Sequence, residues 1–179
     1  LDAIRARGLT LLSGDRRIVA PVRASDRPAD LGPQDAVLVT MKSSGLAVLT
    51  ENIGPLLRPD TAVAFVQNGI PWWYGHGLAS SRPPAPDLSR LDPGAALARA
   101  VGYDRAVGAV VTSSNHVMEP SVVRNVSPER NTLWVAETDD RPSPRIDALR
   151  AALVAAGIAS PATRDIRYDI WHKLMANLT

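Results

Sequence analysis

The strongest constraint on the fold is a pair of short apolar runs separated by a helical segment. Ala36–Thr40 and Thr61–Val66 are rich in Ala and Val and carry no charge, which is typical of strands buried on both faces of a parallel sheet. Gly45–Leu57, between them, has the apolar spacing of an amphipathic helix. Because parallel strands need such a crossover, the order predicts an α/β fold with a doubly wound sheet.

Turn residues and further apolar runs extend this pattern. Leu9–Leu12 and Arg17–Val22 flank Ser13-Gly-Asp-Arg16, which predicts a hairpin. Ala106–Thr112 predicts a strand, and Pro144–Ala156 predicts a helix ended by Gly157. The remaining predictions are a Pro-rich loop over 80–94, a short helix over 94–101, an antiparallel pair of Ser121–Val126 with Thr132–Ala136, a short strand over Ala162–Ile166 and a last helix from Arg167.

Composition excludes several function classes. The 179 residues suffice for one domain, and the lack of Cys excludes disulfides, thiolate catalysis and cysteine metal sites. A net charge of +2 does not favour nucleic acid, and no apolar run approaches the ~20 residues of a membrane helix. His76, His116 and His172 lack metal-ligand spacing, so no metal site is predicted. We therefore expect a small-molecule partner, and neither nucleic acid nor a membrane.

Both ends of the sequence have the pattern of interrupted elements. Leu1–Gly8 resembles the last turns of a helix closed by a glycine. The helical pattern that follows Tyr168 has no stop signal before the sequence ends. We expect this sequence to be an internal piece of a longer protein.

Two polar loops follow the predicted parallel strands. Thr40–Ser44 and Gln67–Ile70 come directly after them, and ligands of open α/β sheets bind beyond the carboxyl ends of the strands. Lys42 is suited to a phosphate or ribose, Asn68 offers both a donor and an acceptor, and Gly69 lets a ligand approach the main chain. The alternative is a pair of ordinary turns, because Asn-Gly is a common turn dipeptide.

Lysine is rare in this chain. Only Lys42 and Lys173 occur among 20 basic residues, and arginine cannot replace a lysine that must give up a proton. Lys173 and Asn177 are four residues apart on a predicted helix, so an ammonium and an amide share one face. Such a pair can protonate one oxygen and hold another, whereas the alternative interpretation is a solvated helix face.

In order and spacing, three segments resemble the ketopantoate reductase family (2-dehydropantoate 2-reductases). They are Asp35–Lys42, with a lysine after the strand, Val66–Ile70, with Gln-Asn-Gly, and Trp171–Asn177, with Trp-x-Lys-Leu-x-x-Asn. The resemblance extends along nearly the whole chain. It implies a partial Rossmann-like NADP-binding domain over 1–166, lacking its first strand, and over 167–179 the first helix of an all-α C-terminal substrate domain.

The resemblance also implies the reaction, which is NADPH-dependent reduction of 2-dehydropantoate (ketopantoate) to (R)-pantoate on the cytoplasmic route to pantothenate and coenzyme A. It is compatible with a homodimer. By analogy, Lys173 donates the proton to the developing alkoxide and binds the substrate. Asn177 holds the substrate, and Asn68 contacts both the substrate and the nicotinamide ribose. The further cofactor contacts implied are Lys42, Gly69 and Ser114.

Two departures from the family pattern keep alternatives open. No Gly-x-Gly-x-x-Gly occurs, so the pyrophosphate-binding loop is missing and this piece alone is expected to be inactive. Ile70–Tyr74 and the Pro-rich loop differ from the best-known members. The alternatives are a sibling NADPH-dependent reductase of another 2-oxo acid and a non-catalytic ligand-binding or assembly module on the same scaffold.

Overall fold

The chain contains both strands and α-helices. The structure, a computed structural model, describes residues 1–177, so positions 178 and 179 of the predicted last helix lie outside the described residues. The strands are β1 (Leu9–Ser13), β2 (Arg16–Ala20), β3 (Ala36–Val39), β4 (Ala62–Phe65), β5 (Ala106–Thr112), β6 (Asn115–Glu119), β7 (Val122–Asn125) and β8 (Thr132–Glu137). The α-helices are α1 (Asp2–Arg7), α2 (Leu46–Asn52), α3 (Ala96–Ala100), α4 (Pro144–Ala155) and α5 (Ile166–Ala176). Short 3-10 turns lie at Pro28–Asp30, Ser43–Gly45, Gly54–Leu56, Pro93–Ala95, Tyr103–Arg105 and Pro128–Arg130.

The central sheet is built around the two apolar runs. β3 and β4 pair in parallel with Ala36 opposite Ala62, and β5 continues the sheet in parallel with β4. β8 closes the order β3-β4-β5-β8 as an antiparallel strand beside β5. The carboxyl ends of β3, β4 and β5 therefore meet at one edge, as the strand-helix-strand pattern predicts.

Helices cover both faces of this sheet. Val63 and Phe65 of β4 pack in a core with Leu46 of α2 and Ile170 of α5. Ala62, Ala64 and the alternate residues of β5 and β8 pack instead against α4. Because successive strand residues point to opposite faces, β4 is buried along its whole length. The prediction of a doubly wound α/β fold is confirmed.

A second sheet corrects one strand pairing. Its order is β2-β1-β7-β6, and the predicted hairpin is present as β1 and β2. The predicted pairing of Ser121–Val126 with Thr132–Ala136 is wrong. β7 pairs with β6 and, in parallel, with the distant β1, while β8 joins the central sheet. The sequence of β6 gives little indication of a strand, because all five of its residues are exposed and no buried face marks it.

Two other local predictions also differ from the structure. The predicted strand over Ala162–Ile166 is absent, since the Thr163 hydroxyl accepts the Asp165 N–H and Asp165 then caps α5. Such caps favour a helix start over an extended chain. The helix predicted over Gly45–Leu57 is shorter, because 3-10 turns flank α2 on both sides.

Gly108 lets α5 close onto the sheet. A Cβ atom at Gly108 of β5 would lie 2.7 Å from Ile166 Cγ1 and 3.1 Å from the Trp73 ring. Ile166 and Trp73 are 0% and 1% exposed, so neither side chain has room to move. The small residue at this position therefore sets how closely α5 approaches β5.

We expect Gly108→Ala to lower the free energy of unfolding by about 1–3 kcal/mol, because overpacking displaces Ile166 and Trp73. Urea denaturation of the 179-residue chain measures this change. Gly54→Ala is the matched control, since no atom lies within 4 Å of its Cβ position. Equal stability of the two variants would contradict the role of Gly108.

Candidate functional site

Helix α5 carries Lys173, and its first turn is firmly capped. Asp165 accepts the Tyr168 N–H at 2.9 Å. Arg82, from the Pro-rich loop, donates to the same carboxylate at 2.7 Å. Burial, the largest single influence, opposes ionisation of this carboxyl group, but the hydrogen bonds from Arg82 and the α5 main chain, together with the Arg82 charge, outweigh it and lower the pKa of Asp165. The cap fixes where α5 begins and thus which face Lys173 occupies.

The Lys173 ammonium reaches across to the sheet edge. Its Nζ donates to Asn68 Oδ1 at 2.7 Å and also to the main-chain oxygen of Val111. Asn68 follows β4, and Val111 lies near the end of β5. Burial lowers the pKa of Lys173 below that of an ordinary lysine, because loss of water disfavours the charged amine.

The loop that carries Asn68 is tied to the loop after β3. Gln67 Nε2 donates to the main-chain oxygen of Met41 at 2.6 Å, so the two polar loops lie side by side. Gly69 has φ of +91°, a conformation that favours glycine. No atom lies within 4 Å of its Cβ position, so the main chain there is open to a ligand.

Asn177 lies one turn after Lys173 on the same face of α5. The two side chains line one small pocket together with Asn68, Gly69 and Ile170, which we call the Lys173 pocket. It joins an ammonium and two amides, which can donate to and accept from a polar ligand.

The structure does not bring every predicted residue to this pocket. Lys42 is exposed in the loop after β3 and does not line the Lys173 pocket. Ser114 also lies outside it, and its main chain pairs with the β7 end, where Ser114 N donates to Ser127 Oγ and Ser114 O accepts the Val126 N–H. The cofactor roles implied for both residues stay predictions.

An apolar cavity adjoins the Lys173 pocket and shares Asn68 and Gly69 with it. It has a volume of about 160 Å³ and is lined by Leu46, Trp72 and Leu91, with Ser43 and Asn68 as polar neighbours. We call it the Trp72 cavity. A cavity of this size and character is suited to an apolar group.

Sequence reasoning assigned no role to three residues that support the site. Arg167 and Trp171 of α5 both donate hydrogen bonds to Tyr74. The sequence offers one signal, which is the position of Arg167 next to the apolar face marked by Ile166 and Ile170. In the structure Arg167 is 2% exposed. A charged residue in such a place needs specific partners.

Neither a membrane span nor a metal cluster is present in the part of the chain that the structure describes. No helix within residues 1–177 is long and apolar enough to cross a bilayer. Over the same residues, no three His, Asp or Glu side chains lie close enough together to hold a metal ion.

The parallel sheet, the helices on both faces and the polar loops at its carboxyl edge define a Rossmann-like domain. Residues 1–76 match the model of the family described as ketopantoate reductase PanE/ApbA. A 2-dehydropantoate 2-reductase of Mesorhizobium japonicum is 37% identical over the whole of this chain. The resemblance drawn from the three motifs is confirmed: the chain is similar along its whole length to a ketopantoate reductase, an oxidoreductase.

Solved structures show the same similarity. A candidate ketopantoate reductase from Ralstonia solanacearum MolK2 superposes with a TM-score of 0.88 at 31% identity, over 99% of this chain and 54% of that one. The 2-dehydropantoate 2-reductase of Geobacter metallireducens GS-15 gives 0.74 at 26% identity, over 99% and 52%. The chain spans 54% of the length of the Mesorhizobium relative, which is about half.

We expect Lys173 to titrate below the ordinary lysine value of 10.5, because its amine is partly buried. The 179-residue chain has only two lysines, so ¹³C-lysine NMR gives two side-chain signals. A Lys173 signal that titrates at 10.5 or above would contradict the burial of its amine.

The lowered pKa also predicts a pH dependence of stability. Between the lowered pKa and 10.5, the unfolded chain binds more protons at Lys173 than the folded chain does. The free energy of unfolding is therefore expected to rise with pH across that window. Lys173→Met should remove this part of the rise in urea denaturation.

Proposed function

We propose that this chain supplies substrate-facing residues of a cytoplasmic reductase that converts 2-dehydropantoate to (R)-pantoate with NADPH. The observation that carries the proposal is the 2.7 Å hydrogen bond between Lys173 Nζ and Asn68 Oδ1. It joins a proton donor to an amide at the carboxyl edge of the sheet, where ligands of this fold bind. The names of the Mesorhizobium and Geobacter relatives support the same reaction.

NADPH fits the polar loops at this edge. Gly69 is open on the side where a Cβ would lie, so a ribose can approach the main chain of the loop. Asn68 can donate to and accept from ribose hydroxyls, and the exposed ammonium of Lys42 suits a phosphate. When bound, the cofactor supplies a hydride for the C2 carbonyl of the substrate.

Lys173 is the catalytic residue in this proposal. Its ammonium attracts the carboxylate of a 2-oxo acid, and Nζ gives a proton to the C2 oxygen as that oxygen gains negative charge. Burial lowers the pKa of Lys173, which makes this proton easier to give near neutral pH. Asn68 and the Val111 carbonyl hold Nζ, and the Asn177 amide is available for a second substrate oxygen.

A sibling reductase of a larger 2-oxo acid is the second candidate function. The Trp72 cavity, of about 160 Å³, favours it because this apolar space adjoins Asn68. A dry cavity of about 150 Å³ admits benzene, so a branched or aromatic side chain can be accommodated there.

The test is NADPH oxidation by a protein that includes this chain and spans the length of its relatives. Ketopantoate is compared with 2-oxoisovalerate and phenylpyruvate at equal concentrations. The highest kcat/KM for ketopantoate supports the first proposal, and the highest value for phenylpyruvate supports the sibling reductase. No oxidation with any of the three would overturn both.

A further inference from the structure

Arg167 is a buried cation whose hydrogen bonds all go to main-chain oxygens. It is 2% exposed, and its guanidinium donates to the carbonyls of Tyr74 at 3.0 Å, Thr138 at 2.5 Å and His76 at 2.5 Å. Among the described residues, no carboxylate forms an ion pair with it within 4.0 Å. Burial lowers the pKa of Arg167. A charge held this way costs stability, which suggests that its geometry serves another purpose.

Helix α5 donates hydrogen bonds to both ends of Tyr74. Arg167 donates to its carbonyl oxygen, and Trp171 Nε1 donates to its hydroxyl oxygen at 2.8 Å. The Arg167 guanidinium also lies 5.4 Å from the centre of the Tyr74 ring, and the Trp171 ring meets that ring edge-on at 6.5 Å. Arg167 and Trp171 are four residues apart, so they project from one helix face.

These contacts with Tyr74 connect the helix that carries Lys173 with the chain segment that follows Asn68. Tyr74 lies six residues after Asn68, and Trp171 lies two residues before Lys173. The helix and the loop are therefore held together at Tyr74 as well as at the Lys173 pocket. Errors of about 1 Å in placing a reacting group can cost 10²-fold in rate, so this second connection matters for proton delivery.

We propose that Arg167 is a positioning residue, and that the Arg167–Tyr74–Trp171 contact holds the Lys173 amine against Asn68. The effect on turnover rests on the proposed function, whereas the effect on the Lys173 amine does not. Burial lowers the pKa of Lys173, so this pKa reports whether the amine stays in place.

The first experiment measures the Lys173 pKa by ¹³C-lysine NMR in the 179-residue chain and its variants. Arg167→Lys keeps the charge but lacks the planar fork that reaches three carbonyls. Tyr74→Phe keeps the ring and removes only the acceptor of Trp171. Both are expected to move the Lys173 pKa up toward 10.5. Tyr168→Phe is the control, since this exposed tyrosine stacks on His172 instead.

The second experiment measures kcat and KM with ketopantoate in a protein that spans the length of the relatives. We expect kcat to fall about 10- to 100-fold in Arg167→Lys and about three- to tenfold in Tyr74→Phe. KM is expected to change less, because the substrate contacts remain. A purely structural role would instead lower the amount of folded enzyme and leave the kcat of the folded fraction and its Lys173 pKa unchanged.

The outcomes separate the two proposals. If Arg167→Lys does not fold, Tyr74→Phe decides, because its ring still fills the same space. An unchanged Lys173 pKa in a folded Tyr74→Phe chain would overturn the positioning role. If none of the three 2-oxo acids is reduced, the proposed function fails, while the NMR result still decides whether the contact holds the amine.

Discussion

Replacement of Lys173 by methionine is expected to lower kcat for ketopantoate reduction by about 10²- to 10⁴-fold. That range is what a positioned proton donor contributes to a rate. The side chain is held in place, since Nζ donates to Asn68 and to the Val111 carbonyl, and methionine fills similar space without a proton to give. The measurement is steady-state NADPH oxidation in a protein that spans the length of the relatives.

Two further variants distinguish proton donation from charge. Lys173→Arg keeps a cation that does not titrate in proteins, so we expect substrate binding to persist while kcat stays low. Lys42→Met is expected to raise the KM for NADPH and to change kcat little, because Lys42 lies outside the Lys173 pocket. A Lys173→Met enzyme that keeps kcat within about threefold of the unmodified enzyme would refute proton donation by this residue.

The central sheet could be predicted because local pattern and burial agree there. β4 is buried at all four positions, so its residues are uniformly apolar and its parallel pairing follows from the helix before it. The second sheet could not be predicted in the same way. β7 pairs with β1, more than 100 residues earlier, and no local pattern encodes such a distant partner.

The candidate site, like the fold, could be predicted from the sequence only in part. Asn68 and Gly69 could be placed at the sheet edge because strand ends define that edge, and the spacing of Lys173 and Asn177 puts them on one helix face. The 2.7 Å contact between Lys173 and Asn68 required the structure, since α5 and β4 are about 100 residues apart in sequence. Arg167 is one of many arginines in this chain. Its place beside Ile166 and Ile170 is a weak sequence signal, and the structure adds its burial.

Trp73→Ala is expected to have the largest effect on stability, a loss of about 3–5 kcal/mol in the free energy of unfolding. Trp73 is 1% exposed, and its ring lies against Gly108 and under the Arg167 guanidinium, 5.4 Å from the ring centre. Alanine leaves a cavity at this junction of sheet and helix. Urea denaturation measures the loss, and Tyr168→Ala, at a 63% exposed site on α5, should change stability by less than about 0.5 kcal/mol.

Trp73→Phe distinguishes the contribution of ring packing to stability from the cost of the unpaired indole N–H. The indole Nε1 of Trp73 is buried with no hydrogen-bond partner among residues 1–177, and an unpaired buried N–H costs about 1–3 kcal/mol. Phenylalanine loses some packing but also removes that N–H, so the two effects oppose each other. We therefore expect Trp73→Phe to be much less destabilising than Trp73→Ala. If the two variants lose equal stability, the packing of this one ring does not hold α5, and therefore Lys173, against the sheet.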